Sequence, residues 1–156
     1  MRFPQKVEVC NSTELDNWIK ERHYLNSVPG GARLRLWVLD NEGERIGAMM
    51  WGRPSARPLN QEKLLELTRM VMTDETAKFA ESRALKLARS YIRKHFKEVK
   101  GLIAYSSTGQ NHEGIIYKAD NWFELGRTKS RNVGWNNREG RKMRDSSIKI
   151  RWVRSP

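Results

Sequence analysis

Between residues 64 and 105 the chain reads strand, long helix, strand, and this order limits its fold more than any other feature. Residues 64–72 form an apolar run of strand length. Over 80–96 the residues Ala84, Leu85, Ala88, Tyr91, Ile92 and Phe96 recur at the spacing of a helix with one buried face. Residues 102–105 return as a short strand. A helix of that length between two strands of one sheet carries the chain back to its starting edge, so the strands are predicted to be parallel and the crossover right-handed.

The flanks add a mixed architecture around that unit. Leu15, Trp18, Ile19 and Leu25 share a helical stripe, with Asp16 placed to help cap the first turn and Pro29-Gly30-Gly31 ending the segment. Residues 33–39 and 46–51 alternate as strands around the turn Asp40-Asn41-Glu42-Gly43, which predicts a hairpin. Residues 52–58 are too proline-rich for regular structure. A short helix over 112–120 and strands over 122–125 and 147–153 complete the order αββ, then βαβαββ. Residues 127–146, rich in Gly, Asn and positive charge, are predicted to be a basic loop before the last strand. With no repeat or low-complexity tract, the expectation is one α/β (α+β) domain over 1–156, with a mixed, mostly antiparallel sheet.

Strict alternation along residues 64–72 places Glu66, Thr68 and Met70 on one face and Leu65, Leu67, Arg69 and Val71 on the other. A carboxylate and a guanidinium in an otherwise apolar strand mark it as more than core, and opposite faces would keep Glu66 and Arg69 from pairing.

Composition narrows the partners. Thirty Lys and Arg against eighteen Asp and Glu give a net charge of +12, which favours a polyanion through counterion release. Ten of those cations fall within residues 127–156, against Glu139 and Asp145. Hydrophobic residues at 38%, six of them Trp, argue for a packed globule. No apolar run approaches the roughly 20 residues of a membrane span, and the start lacks a signal-peptide core, so a soluble, cytoplasmic protein is expected. The lone Cys10 has no internal disulfide partner and is expected to be a buried thiol.

The stretch from Ala104-Tyr105-Ser106 to Asn121-Trp122 sets hydroxyls and amides at the end of a strand and the start of a helix, where parallel sheets open to ligands. Its run Ile116-Tyr117-Lys118-Ala119-Asp120-Asn121-Trp122 resembles the strand and helix motif of the GNAT acyltransferase superfamily. The resemblance implies a GNAT-like fold with a splayed parallel strand pair. It implies that Tyr117 protonates a leaving group and Glu66 acts as base, with Ser106 beside them. Arg69, Met70, Ser82 and Gln110 are then the positions near the donor. Acyl-CoA users of that superfamily carry a glycine-rich turn whose amides hold the pyrophosphate. Here the turn is Thr73-Asp74-Glu75-Thr76-Ala77-Lys78-Phe79, without glycine, which leaves room for an aminoacyl-tRNA such as glycyl-tRNA in place of acetyl-CoA.

Along nearly the whole chain, His23-Tyr24-Leu25, Gly47-Ala48-Met49-Met50-Trp51-Gly52-Arg53-Pro54, Leu65-Glu66-Leu67-Thr68-Arg69-Met70 and the blocks around Tyr105 and Tyr117 resemble, in this order, the Mom family of DNA-modification proteins of Mu-like bacteriophages. That resemblance implies conversion of adenine in duplex DNA to a carbamoylmethyl-type derivative, protection of phage DNA from host restriction, and activity in the cytoplasm of a bacterial host. It places His23 and Tyr24 in the active-site region and raises a possible iron requirement. His23 and His112 alone lack metal-ligand spacing. Double-stranded DNA is the expected partner, with tRNA a second. Arg131, Arg138, Arg141, Lys142 and Arg144 are suited to phosphates, and Trp135 and Asn136 to a base or the gap it leaves. Two other readings stay open: an N-acetyltransferase for protein or small-molecule amines, and a DNA-binding module without catalysis. Oligomeric state is not legible.

Overall fold

In a computed structural model, which describes residues 2–23, 26–74, 76–107, 113–128 and 148–156, seven strands build a sheet in the order β1-β2-β3-β4-β5-β7-β6. Along the chain these are β1 (Lys6–Val9), α1 (Glu14–Arg22), β2 (Ala32–Leu39), β3 (Arg45–Gly52), β4 (Leu64–Met72), α2 (Ala80–His95), β5 (Gly101–Ser107), α3 (Glu113–Ala119), β6 (Phe123–Arg127) and β7 (Lys149–Arg154). Neighbouring strands are antiparallel except β4 and β5, the two joined through α2. The mixed sheet expected from the strand–helix–strand run is therefore present. The strand β1 was not anticipated. It is a four-residue edge strand whose Lys6-Val7-Glu8-Val9 alternation is too short to stand out, and its pairing with Leu36–Leu39 of β2 comes from distant sequence.

The sheet has two differently covered faces. On one, Leu36, Met49, Trp51, Leu65, Leu102 and Trp152 meet Leu85, Ala88 and Ile92 of α2 and Tyr117 of α3. On the other, Trp37, Ala48 and Met50 meet Leu15 and Ile19 of α1, and Trp18 sets its ring edge-on to Trp37 at 5.7 Å. Each fully buried Leu or Ile in these layers stabilises the fold by roughly 1.5–3 kcal/mol. Asp16 does not cap α1. Its carboxylate takes two bonds from Arg35, at 2.7 and 3.1 Å, and Ser12 Oγ instead accepts from the Glu14 amide at 3.3 Å. Cys10 is buried and free, as expected.

Two features position the candidate site. The parallel pairing of β4 and β5 covers only Leu64–Leu67 against Gly101–Ala104, after which β4 follows β3 and β5 follows β7. At that point β4 carries a bulge: Trp51 faces Leu67 and Met50 faces Arg69, leaving Thr68 as the extra residue, with its hydroxyl donating to the Met50 carbonyl at 3.1 Å. A bulge raises local twist and bends its strand, so it turns β4 away from β5 where their pairing ends.

The bulge also overturns the face assignment made by strict alternation. Leu65, Leu67, Met70 and Met72 pack toward α2, whereas Val71 joins the α1 side together with Arg69 and Glu66, which pair with Met50 and Gly52. One added residue inverts the alternation after it. Glu66 and Arg69 thus share a face. The expected helix through Leu25 is shorter as well, ending at Arg22 with His23 as an extended cap at φ −80, ψ 142.

Candidate active site at the strand parting

On the α1 side of the parting stands Glu66, 7% exposed, in the last stretch of β4 paired to β5. Its Oε1 accepts two bonds from Ser55, one from the amide and one from the hydroxyl, both at 2.9 Å. Ser55 belongs to the proline-rich loop after β3, which leaves the sheet because neither Pro54 nor Pro58 can extend the strand and returns to β4 at Glu66. Both bonds fall on one oxygen, so Oε2 points no bond at any described residue.

Arg69 follows one bulge further along. Its Nε donates to the Ser27 carbonyl at 3.0 Å and its Nη1 to the Thr68 carbonyl at 2.7 Å, which ties the strand to the segment after α1. The same segment brings in His23. Burial, and then the positive charge of Arg69, push the imidazole pKa down from 6.5 to about 4, so the ring is neutral at physiological pH. From the β5 side comes Tyr105, half-buried and facing Arg151 of β7 at 5.5 Å between guanidinium carbon and ring centre. Burial raises the Tyr105 pKa, Arg151 pulls it the other way, and the negative charge of Glu66 adds to the rise. This face of the sheet near the parting therefore carries a carboxylate, a neutral imidazole, a phenol and two guanidinium groups.

The other expected residues lie elsewhere. Tyr117 is buried on the α2 side, with its ring stacked 5.9 Å from Trp152 and edge-on to Trp122 at 5.3 Å. Ser106 shares that side, and its hydroxyl accepts from the Trp152 indole at 2.9 Å. Met70 packs there too. Ser82 Oγ donates to the Phe79 carbonyl at 3.0 Å in the first turn of α2. The parting separates the two groups: Glu66, Arg69 and His23 on one face of the sheet, Tyr117, Ser106 and Met70 on the other. Tyr24, Gln110, His112, Arg131, Trp135, Asn136, Arg138, Arg141, Lys142 and Arg144 lie outside the described residues, as does most of the expected basic loop. Sequence reasoning passed over Ser55, Tyr105 and Arg151. Tyr105 and Arg151 are 46 residues apart and meet only through the β5–β7 register. Ser55 carried no signal beyond its loop.

The turn from β4 to α2 is where a coenzyme A pyrophosphate would rest in a GNAT-like fold. Here four of its amides are used within the protein: Thr73 to Ile46, Thr76 to Thr73, Ala77 to Arg2 and Ala80 to Ala77, at 2.8 to 3.4 Å. Phe79 takes a left-handed conformation, φ 67, as the cap of α2, and the first turn carries the acid Glu81. These four committed amides and the like charge of Glu81 weaken the turn as a pyrophosphate cradle. Nor do the described residues include three His, Cys, Asp or Glu side chains grouped to hold a metal ion, and Arg69 would oppose a cation at His23. No helix among the described residues is long and apolar enough to cross a membrane.

Comparison with known structures agrees on the fold. The aminoglycoside acetyltransferase AAC(6')-Ib, solved with acetyl-CoA, superimposes with a TM-score of 0.70 at 9% identity, covering 96% of this chain and 92% of that one. A GNAT-family acetyltransferase from Bacillus anthracis gives 0.65 at 11% identity, over 99% and 97% of the two chains. The ribosomal-protein-S5-alanine acetyltransferase of Vibrio fischeri gives 0.64 at 12%, over 99% and 96%. Among curated proteins, the methylcarbamoylase Mom of Escherichia phage Mu is 24% identical over 129 residues, which cover 78% of this chain and 53% of that protein. The chain thus spans about half the length of the curated relative it matches. On a GNAT-like sheet parted beside Glu66, and with the Mom protein family model matching residues 5–155, the chain belongs to the Mom family.

Proposed function

We propose that the protein is a transferase that attaches a small acyl-derived unit to the exocyclic amine of adenine in double-stranded DNA. The product is a carbamoylmethyl-type base that protects phage DNA from host restriction. Family membership and the relative's name, methylcarbamoylase, support the reaction class. One observation carries the assignment to this site: Glu66 sits at the head of the strand parting with Oε1 held by Ser55 and Oε2 available.

Adenine's amine is a poor nucleophile until it loses a proton, and in a duplex it is engaged in pairing. The base must therefore leave the stack to reach a carboxylate that is 7% exposed. Glu66 Oε2 takes the N6 proton as N6 attacks the donor's carbonyl carbon and the ester bond from that carbon to the leaving oxygen breaks, while Ser55 keeps the carboxylate from turning away. A glycyl donor gives N6-glycyladenine, a constitutional isomer of the carbamoylmethyl base that a subsequent rearrangement converts to it. The leaving group departs through the parting toward Tyr117, whose phenol returns a proton to it. Neutral His23 orients the incoming group as a hydrogen-bonding partner. The internally committed turn before α2 favours an aminoacyl-tRNA, with glycine as the aminoacyl group, over acetyl-CoA. Iron has no set of three ligands among the described residues, and no step is routed through it.

The test is nuclease digestion and mass spectrometry of DNA from cells expressing the protein. Wild type should yield a heavier adenine nucleoside, and Glu66→Gln should reduce it by about 100-fold or more, the usual worth of a positioned base. Gln keeps an acceptor for both Ser55 bonds, so folding should be unaffected. Unmodified adenine in the wild-type sample would refute the reading.

A further inference from the structure

Positive charge gathers on a second surface, away from where the expected basic loop joins β7. From Ser82 to Lys97 the chain holds no acid, and the next one, Glu98, is taken by Arg33 at 3.2 Å. The helix α2 turns Ala84, Leu85, Ala88 and Ile92 to the core and leaves Lys86, Arg93 and Lys94 exposed on its outward side. Lys97 and Lys100 carry exposed charge past the end of the helix. The loop expected over 127–146 enters β7 at Lys149, whereas this surface reaches Pro156, beyond the other end of that strand.

Two observations set it apart from an ordinary solvated helix face. A helix dipole favours cations in the last turn, which accounts for Arg93 and Lys94 but not for Lys86 in the middle of α2 or Lys100 beyond it. The end of the patch is also concave: Arg93, Lys97 and Lys100, with Phe96, Val99 and Pro156, line a cleft of about 340 Å³ that has no acidic side chain. Arg93 Nη1 donates to the Pro156 backbone oxygen at 3.2 Å, while Lys86, Lys94, Lys97 and Lys100 meet no carboxylate among the described residues. A cleft lined by one sign of charge focuses the field and draws in a polyanion.

The sheet decides which polyanion. Glu66, which meets the base to be modified, stands on the α1 side, whereas α2 shares the other side with Tyr117, toward which the leaving group departs. Arg89 of α2 holds Asp120, just past the helix that carries Tyr117, by bonds of 2.8 and 2.6 Å. Arg93 follows one helical turn further, about 6 Å along the axis, and the cleft comes next. We propose that the outward face of α2 and the cleft at its end dock the donor RNA. Lys86, Arg93 and Lys94 meet the phosphates next to the aminoacylated end, and the cleft holds one further along the same strand, a few nucleotides away at about 3.4 Å per stacked nucleotide. The acceptor duplex has no such route, because the sheet stands between. The surface rests on the aminoacyl-tRNA reading and deepens it, and its binding can be measured without turnover.

The experiment titrates the full chain, by fluorescence anisotropy, against a labelled uncharged glycine tRNA and against a labelled DNA duplex. Lys97→Gln combined with Lys100→Gln should weaken tRNA binding by about tenfold or more at low salt and flatten its salt dependence, while duplex binding changes by less than about twofold. Lys6→Gln combined with Lys20→Gln, the same loss of charge placed on β1 and α1, should change tRNA binding by less than about twofold. All four lysines are exposed, so both variants should fold, and thermal midpoints equal to wild type check it. Unchanged tRNA binding in the Lys97 and Lys100 variant would overturn the proposal. So would an equal loss in the Lys6 and Lys20 variant, which would report net charge alone, or a loss as great for the duplex, which would give this face to the acceptor. Nucleoside analysis separates the two ideas: modified adenine from wild type with tRNA binding indifferent to this face sinks only the surface, whereas tRNA binding that depends on it without any modified base sinks only the reaction.

Discussion

His23 is held neutral where a solvent-exposed histidine would be half-charged near pH 6.5, and this has a consequence for stability. Above pH 6.5 the imidazole is neutral in both folded and unfolded chains and favours neither. As pH falls from about 6.5 to about 4, the unfolded chain takes up the proton and the folded chain does not, so the fold loses stability across that window. His23→Gln, which keeps a polar side chain without titrating there, should lose less stability between pH 7 and pH 4.5. Denaturant midpoints measured at several pH values for both proteins check this, and parallel curves would show that His23 is not buried beside Arg69. At this scale the sequence was informative in an uneven way. Glu66 stood out because a carboxylate within an apolar strand is rare, and it does lie at the parting. His23 drew notice only through family resemblance, since nothing in its neighbourhood announced burial. Tyr105, Arg151 and Ser55 escaped because each acquires its meaning from a neighbour brought in by register or loop closure.

Between elements, the tightest polar link joins α2 to the turn after α3. Arg89 is 7% exposed and donates to both Asp120 oxygens, Nε at 2.8 Å and Nη2 at 2.6 Å, while the Trp122 indole donates to Asp120 Oδ2 at 2.8 Å. Asn121 in the left-handed region, φ 60, makes the reversal, and the Trp122 amide closes it on the Tyr117 carbonyl at 2.8 Å. The link thereby fixes the helix that carries Tyr117. Asp120→Ala would leave a buried guanidinium and an indole N–H unanswered, at a cost of about 3–5 kcal/mol. Adding Arg89→Met should recover much of the loss, because the stranded charge is gone and the gap is filled by apolar volume. Thermal unfolding of the single and double variants measures both, and a double variant as unstable as Asp120→Ala would refute the stranded-charge account. The helices α2 and α3 were legible because their apolar periodicity is strong, whereas the ion pair between them was not, since Asp120 and Arg89 lie 31 residues apart. The Thr68 bulge was equally hidden. Alternation is a rule about uninterrupted ladders, and nothing in Leu67-Thr68-Arg69 declares where one residue drops out of pairing.

For the whole molecule, order of elements was easier to read than placement of charge. A strand–helix–strand run leaves few ways to build a sheet, and the parallel β4–β5 pair followed from it, while the short edge strand β1 supplied no comparable pattern. The net charge of +12, by contrast, states that a polyanion is favoured without saying where it lies. If duplex DNA is the partner, its affinity should fall linearly with salt on logarithmic axes, with a slope of about −0.9 for each phosphate contacted. Replacing Arg131, Arg138, Arg141, Lys142 and Arg144 by Ala should lower the magnitude of that slope by roughly 4 if all five meet phosphates, and by correspondingly less if only some do. Titrations by fluorescence anisotropy at several salt concentrations separate these contributions. A slope unmoved by the five-fold replacement would show that the duplex lies against other cations of the chain, and that the densest positive charge in the sequence does not mark where DNA binds.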